Sequence, residues 1–366
     1  MQPPSSPSSR RGRRVLFAVL AVLLSLLATA FIGEGGLRLA GYSPANINPL
    51  KSFHEFDPVF GWRGKKLYTA RYKRPDFDVV VAHNADGFRK QENLEAKLNQ
   101  APQRAFVFGD SFVWGWGVAQ GEVFTDRMNL LLPTCSVHNY GLSGAGTVVE
   151  YGIFATEVRK LVRPDDVVIL MFFANDFADN MDRNKYHGEV VKGEVRAVNA
   201  SRRVTTRAVD WLKNHTYLGN YVGYRADLAH KTRLSRQQED ERLGRSLTES
   251  DDRFVVTRYF LAQFQADCAA AKAKFLVVYI PCQEEFSEAR VILPNKLANV
   301  KAQAETLVAI TRALHIELID LRPPFVARKN QTGERLTFQN DGHWNPTGHQ
   351  AVAELLSDYL LTHAAK

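Results

Sequence analysis

The sequence predicts an α/β chain built around a parallel sheet, and three observations predict it. Five short apolar runs of strand length recur after residue 104, at 105–108, 135–140, 166–173, 275–281 and 316–321. Helical segments fall between and after them, at about 121–132, 147–162, 253–273, 295–314 and 346–363. Near-continuous apolar strands separated by helices belong to a sheet covered on both faces. Polar residues of catalytic type also stand just after several of these strands, and in such sheets ligands bind at the carboxyl ends.

From the start of the chain, residues 1–14 are rich in Pro, Ser and Arg and are expected to be a disordered, basic, cytoplasmic tail. Residues 15–33 carry no charge and are rich in Leu, Val and Ala. At ~1.5 Å per residue they nearly cover a hydrocarbon core about 30 Å thick. The arginines before them orient the N-terminus inward, so 15–33 reads as a transmembrane signal anchor. A cleaved signal peptide is the competing reading, because Ala28-Thr29-Ala30 fits a small-residue cleavage site. Glu34–Gly41 reads as a short amphipathic continuation. Residues 34–103 read as an extended N-terminal arm with one clear strand at Phe77–His83 and a turn at Asn84–Arg89.

The remaining residues, 104–366, form the main domain, interrupted at about 177–252 by a polar insertion with little strand pattern. That insertion is either a cap that shapes a substrate site or a solvated helical excursion. The net charge of +8 includes Arg10, Arg11, Arg13 and Arg14, and the remaining excess is spread along the chain without a basic, aromatic-interleaved stripe. Nucleic acid is therefore not an expected partner. The three cysteines show no zinc spacing, and no motif implies a metal or other cofactor. A Cys268–Cys282 disulfide is left open.

Acyl transfer through serine needs a nucleophile, a base, an orienter for the base, and donors for the oxyanion. Ser111, at the corner where the first strand meets a helix, supplies the nucleophile. His343 supplies the base and Asp341 holds it. Oxyanion donors are expected from the Ser111 N–H, the Gly141 N–H and the Asn175 side-chain amide. Asp110 is expected to fix the turn, and Asp176 to act as a structural acceptor beside Asn175. Trp114 and Trp116 suit either sugar stacking or packing, and Ser143 reads as a turn residue. His349, with no acidic residue just upstream, is a weaker rival base.

These separated blocks, Gly109-Asp110-Ser111, Asn139-Tyr140-Gly141, Ala174-Asn175-Asp176 and Asp341-Gly342-His343, resemble the SGNH hydrolase superfamily, also called GDSL hydrolases. The flanking phrases Gly61-Trp62-Arg63, Asn84 to Arg89 and Gly115-Trp116-Gly117-Val118 resemble a membrane-anchored branch of it. The resemblance implies a flavodoxin-like three-layer α/β/α sandwich with a central parallel sheet, preceded by one transmembrane helix. It departs from the family pattern at Ala174, where Gly is usual, and in the short Asp341-x-His343 spacing, which resembles sugar O-acetylation proteins of the same fold. The implied activity is an exported, membrane-tethered serine esterase of a bacterial inner membrane, facing the periplasm or exterior. Its substrate would be an acetyl or other short acyl ester on a glycan, or a small ester. The alternatives are an O-acyltransferase acting on a glycan and a non-catalytic glycan-binding scaffold. The oligomeric state is not given.

Overall fold

The computed structural model describes residues 8–44, 52–95, 97, 101–200, 204–233, 247–289 and 294–363. Its first element, α1 (Ser8–Leu39), is one continuous helix. Residues 8–14, expected to be disordered, are its first turns, while residues 1–7 of the expected tail lie outside the described residues. Nothing in the sequence from Arg10 to Leu39 breaks a helix, and the expected amphipathic continuation at Glu34 is simply its last turns. Within α1, Gly12–Leu39 is long and apolar enough to cross a membrane, and its residues 12–32 are exposed throughout.

The arm is held by short antiparallel pairings. His54–Glu55 pairs with Arg63–Gly64, and β1 (Thr69–Arg74) pairs with β2 (Phe77–Ala82) across the Pro75–Asp76 turn. The arm's aromatic residues are buried on the main domain. Phe53 lies 5.5 Å from Trp114, and Phe77 lies 5.0 Å from Phe338, ring centre to ring centre. In the Asn84–Arg89 turn, Asn84 Oδ1 accepts from the Asp86 and Phe88 N–H groups. This delivers Arg89 into the interior, where it donates to the carbonyls of Gly115 (3.1 Å) and Val118 (2.6 Å). A buried guanidinium is costly unless its donors are used, and these bonds tie the arm to the loop that follows Ser111.

The main domain runs β3 (Gln103–Gly109), α2 (Phe124–Leu131), β4 (Cys135–Gly141), α3 (Thr147–Ile153) and β5 (Val167–Phe172). The end of α3 widens into a π turn over Phe154–Val158. The insertion follows as β6 (His187–Val191), β7 (Glu194–Val198), α4 (Val204–His215) and α5 (Tyr217–Arg233). The chain then closes with α6 (Asp252–Ala270), β8 (Lys274–Tyr279), α7 (Pro294–Ala313), β9 (Glu317–Asp320), α8 (Arg322–Thr332) and α9 (Pro346–His363).

Five parallel strands lie in the order β9-β8-β5-β3-β4. Alternate side chains leave the sheet on opposite faces, which makes three layers. Val107, Ile169, Met171 and Val278 pack with residues of α2 and α9 such as Met128 and Leu356. Phe106, Phe108, Leu170 and Val277 pack on the other side with Phe154 of the π turn, Phe264 of α6 and Leu307 of α7. The fold is the flavodoxin-like α/β/α sandwich. Its strand order reverses direction between β3 and β5, the neighbours that carry Ser111 and Asn175 at their carboxyl ends, and such a reversal is where this architecture opens a crevice.

Two expectations need correction. The insertion contains a β-hairpin, β6–β7, whose turn at Lys192 (φ 53°) and Gly193 (φ 82°) has the left-handed backbone that tight hairpins use. Its Val190 and Val195 pack on Val256 and Phe260 of α6, so tertiary burial stabilises a strand pair whose own sequence is mostly polar. The second is at 322–332, to which the sequence pattern assigns no element and where the chain forms α8. Pro323 and Pro324 occupy its first turn, where no intrahelical N–H is needed.

Two histidines are buried in neutral form. His83 accepts Trp114 Nε1–H at 2.9 Å, and burial pushes its pKa from 6.5 down to about 4. His349 accepts the Phe124 N–H at 3.2 Å, and burial likewise lowers it well below 6.5. The unfolded chain then binds more protons than the folded one below pH 6.5, so stability falls as pH drops from 6.5 towards 4, by roughly 3 kcal/mol for His83 alone. Urea unfolding at pH 7 and pH 4.5 checks this. The midpoint should be markedly lower at pH 4.5, and His83→Gln, if it folds, should reduce that dependence.

Candidate active site

Ser111 opens a single helical turn (Ser111–Trp114) directly after β3. Asp110 caps it, accepting the Phe112 N–H at 2.9 Å. Burial pushes the Asp110 carboxyl up to about 6, against the opposing pull of that N–H and of His343. The sequence assigned Asp110 to the turn, and the structure places it there.

Across the crevice, the loop before α9 presents Asp341 and His343. Asp341 Oδ1 accepts both the backbone N–H of His343 (3.0 Å) and its Nδ1–H (2.5 Å). The first bond is an Asx-type turn, which explains how a two-residue spacing brings carboxylate and imidazole together. A carboxylate only accepts, so Nδ1 carries the proton and Nε2 is left as an acceptor. Nε2 lies 2.7 Å from Ser111 Oγ, so the hydroxyl donates to it.

Two further groups hold this line. Trp116 Nε1–H donates to Asp341 Oδ2 at 3.0 Å, and its ring stacks on the His343 imidazole, 5.0 Å between centres and 19° between planes. The arm's Asp76 accepts both the N–H and the side-chain amide of Asn340, one residue before Asp341. Burial acts to raise the Asp341 carboxyl, but the bonds and charge of His343 with the Trp116 donor outweigh it and bring it down to about 2. α9 is capped by Asn345, whose Oδ1 accepts the Gly348 N–H at 2.9 Å.

The expected oxyanion donors fare differently. Asn175, at the end of β5, lines the same cavity as Ser111 and His343, about 270 Å³ in volume. Its amide Nδ2 donates to Asp179 Oδ2 at 3.0 Å, it also hydrogen-bonds Asp110, and its buried Oδ1 has no partner. Gly141 is a correction. Its N–H is spent on Asn139 Oδ1 at 2.9 Å. An added Cβ would meet the Trp114 nitrogen at 2.4 Å, so this position is glycine because the Ser111 turn packs against it.

Asp176 is the second correction. Its carboxyl oxygens are fully buried and have no hydrogen-bond partner, and neither do those of Glu150 on α3. Burial first, then neighbouring carboxylates, raise both well above the ordinary range. Cys135, Cys268 and Cys282 are free, buried thiols, so the open question of a disulfide resolves to none. The methyl of Ala174 is accommodated against Cys282 and Val300. Trp114 is a core residue, Ser143 accepts Trp62 Nε1–H through its carbonyl, and His349 is remote from Ser111 in function, bonded to Phe124.

Sequence reasoning missed three groups at this site. Trp116 was seen, but its bond to Asp341 was not. Asn139 carries no signal of its own beyond standing two residues before Gly141, yet its amide donates to Val113 O (2.7 Å) and Thr125 Oγ1 (2.9 Å) beneath the Ser111 turn. The ion pair of Lys296 with Glu284 (2.5 Å), on the cavity wall beside Gln283, had no motif to announce it.

A serine, an imidazole and an ionised carboxylate in one hydrogen-bonded line are the arrangement of a hydrolase of the serine acyl-transfer class. Residues 107–351 match the GDSL-like lipase/acylhydrolase family, and the protein belongs to that family. Similar solved structures include a lipolytic protein of the G-D-S-L family from Veillonella parvula, 15% identical over 72% of this chain and 99% of that one, TM-score 0.41. The acetyl xylan esterase AlAXEase is 15% identical over 70% and 99%, TM-score 0.41. A lipase/acylhydrolase from Enterococcus faecalis is 15% identical over 70% and 95%, TM-score 0.39. No curated protein matches the chain.

Two outcomes follow from this geometry. Trp116→Phe keeps a ring on the imidazole but removes the donor to Asp341, and should lower kcat roughly tenfold, the kinetic equivalent of one charge-assisted hydrogen bond. Steady-state kinetics on p-nitrophenyl acetate, with KM nearly unchanged, checks it. The carboxyl of Asp341 ionises lower when folded (about 2) than its ordinary 3.8. Its stabilising contribution is therefore full above about pH 4 and is lost between pH 4 and 2, about 2 kcal/mol in all. Asp341→Asn should flatten the stability curve in that window.

Proposed function

We propose that this chain is an exported, membrane-tethered serine esterase that removes acetyl or other short acyl groups from a cell-envelope or extracellular glycan. The observation that carries the chemistry is the continuous Ser111–His343–Asp341 hydrogen-bonded line opening into a small cavity. Ser111 Oγ attacks the ester carbonyl as its proton passes to His343 Nε2. Asp341, already ionised, stabilises the imidazolium that forms. Collapse of the tetrahedral intermediate expels the alcohol, which takes the proton from His343, and leaves an acyl group on Ser111. Water, deprotonated by His343, then attacks the acyl carbon, and the free acid leaves as His343 returns the proton to Ser111 Oγ.

The Ser111 N–H at the head of its helical turn is the first oxyanion donor in this reading. Asn175 is the second, its amide turning from Asp179 and Asp110 towards the carbonyl oxygen. The cavity lies at the small end of ligand sites, and the rings of Phe112 and Phe173 line it beside Ser111. That favours a short acyl chain. Gln283, Glu284 and Lys296 supply polar partners of the kind a sugar presents.

Tethering rests on α1. Its exposed apolar span and the arginines before it support an uncleaved anchor with the N-terminus in the cytoplasm and the catalytic domain on the periplasmic or outer side of a bacterial inner membrane.

The experiment is labelling of the full-length, detergent-solubilised protein with a fluorophosphonate probe, alongside p-nitrophenyl acetate turnover. Ser111→Ala should abolish labelling, and both Ser111→Ala and His343→Ala should lower turnover by roughly 10⁴ or more. A folded wild type that neither labels nor turns over would place the chain with glycan-binding scaffolds. Acetyl transfer to a glycan hydroxyl outrunning hydrolysis would make it an O-acyltransferase with the same acyl-enzyme.

A further inference from the structure

The helix pair α4–α5 carries an unusual surface. Val209, Trp211 and Leu212 on α4 and Val222 on α5 are all about half exposed, and Trp211, at 56%, is the exposed tryptophan among the described residues. The Trp211 ring stacks on His215 rather than on any core residue. Such a patch on a soluble surface is unfavourable unless something covers it.

Its position identifies the cover. Glu34 of α1 accepts the N–H groups of Tyr217 (3.1 Å) and Leu218 (2.8 Å), capping the N-terminus of α5 with a carboxylate. Leu218 lies where a Cβ on Gly33 would touch it, at 3.4 Å. The uncharged stretch 15–33 is about one hydrocarbon thickness long, so Glu34 emerges at the far headgroup level and the α4–α5 turn is bonded there with it. The same level gathers the side chains that favour an interface. Arg38 lies over the Tyr217 ring at 4.4 Å, and Tyr42 packs edge-on against Tyr217 and Tyr221. Arg225, about one turn beyond Val222 on α5, is exposed.

We propose that the α4–α5 pair is an interfacial membrane-binding element, lying on the bilayer that α1 spans with Trp211, Leu212, Val209 and Val222 in the headgroup and upper acyl region. An amphipathic helix of this kind binds in the plane of the interface through its apolar face and nearby basic side chains. The element gives the catalytic domain a second point of attachment, so it cannot swivel about α1. The orientation passes inward through named contacts. Tyr42 OH donates to Asn220 Oδ1, and Asn220 Nδ2 donates to Ser52 Oγ. Beyond Ser52 the rings of Phe53, Trp114 and Trp116 lead to His343.

This inference rests on the reading of α1 as a membrane anchor, and the test separates the two. The full-length protein and its Trp211→Phe variant are reconstituted in phosphatidylcholine–phosphatidylglycerol vesicles, with and without phosphatidylcholine brominated near the headgroup end of its acyl chains. The difference between the two emission spectra is the Trp211 signal, and bromolipid should quench it by more than half. An unquenched Trp211 signal in protein that resists alkaline carbonate extraction overturns the inference and leaves the anchor standing. Release by carbonate overturns both. A Trp211 shielded from aqueous acrylamide and from bromolipid alike overturns it in favour of a second copy of the chain.

Discussion

The Asp341 carboxylate is the point on which the site depends. It accepts three N–H groups, from the His343 backbone, the His343 ring and the Trp116 indole. Without the backbone bond the two-residue spacing would let the loop open. Without the ring bond the imidazole would be free to hold its proton on Nε2 and could not accept from Ser111. Without the indole, the Ser111 turn and the His343 loop would lose their hydrogen bond through Asp341 and keep, besides Ser111 Oγ–His343 Nε2, the packing of the Phe112 ring on His343 and Trp344. One ionised group therefore fixes loop shape, tautomer and mutual position, and its low pKa keeps it ionised while it does so.

The arm, which is remote in sequence from every proposed reacting residue, braces both halves of this arrangement. Arg89 closes the Gly115–Val118 loop from beneath, and so sets where Trp116 leaves the backbone. Asp76 holds Asn340 on the opposite loop. A third strut, Trp62, donates to Ser143 in the loop after β4. The phrases that resembled an anchored branch of the family, around Gly61, Asn84 and Gly115, thus turn out to be partners of one another or of strand-end loops.

The sheet was legible because its strands are buried on both faces, and burial on both faces writes a continuous apolar run. Val167–Phe172 could hardly be anything else. Ser111, Asp341 and His343 were legible because strand ends are fixed by the sheet and the chemistry names few residue types. Gly141 misled because a glycine after a strand is equally suited to close packing and to exposing an N–H, and the side chain of Asn139 decides between them. The raised pKa of Asp176 and of Glu150 could not be read either, since it depends on a burial that brings α3 and the end of β5 together. The β6–β7 hairpin escaped notice for a related reason: what makes it a hairpin is the α6 surface beneath it, far along the chain.

The aromatic sequence from Phe53 to His343 has a consequence for what the enzyme meets. In the anchored reading, the hydrogen bonds from Tyr42 through Asn220 to Ser52 and the rings from Phe53 to His343 join the bilayer face to the imidazole. Encounter is then a search in two dimensions, with the crevice held at one height and one tilt above the lipid. Confinement raises the local concentration of any envelope polymer within reach, and leaves a polymer beyond that reach untouched whatever its chemistry. Selectivity in such an enzyme is partly a matter of altitude, set by the stack of side chains beneath His343 as much as by the walls of its cavity.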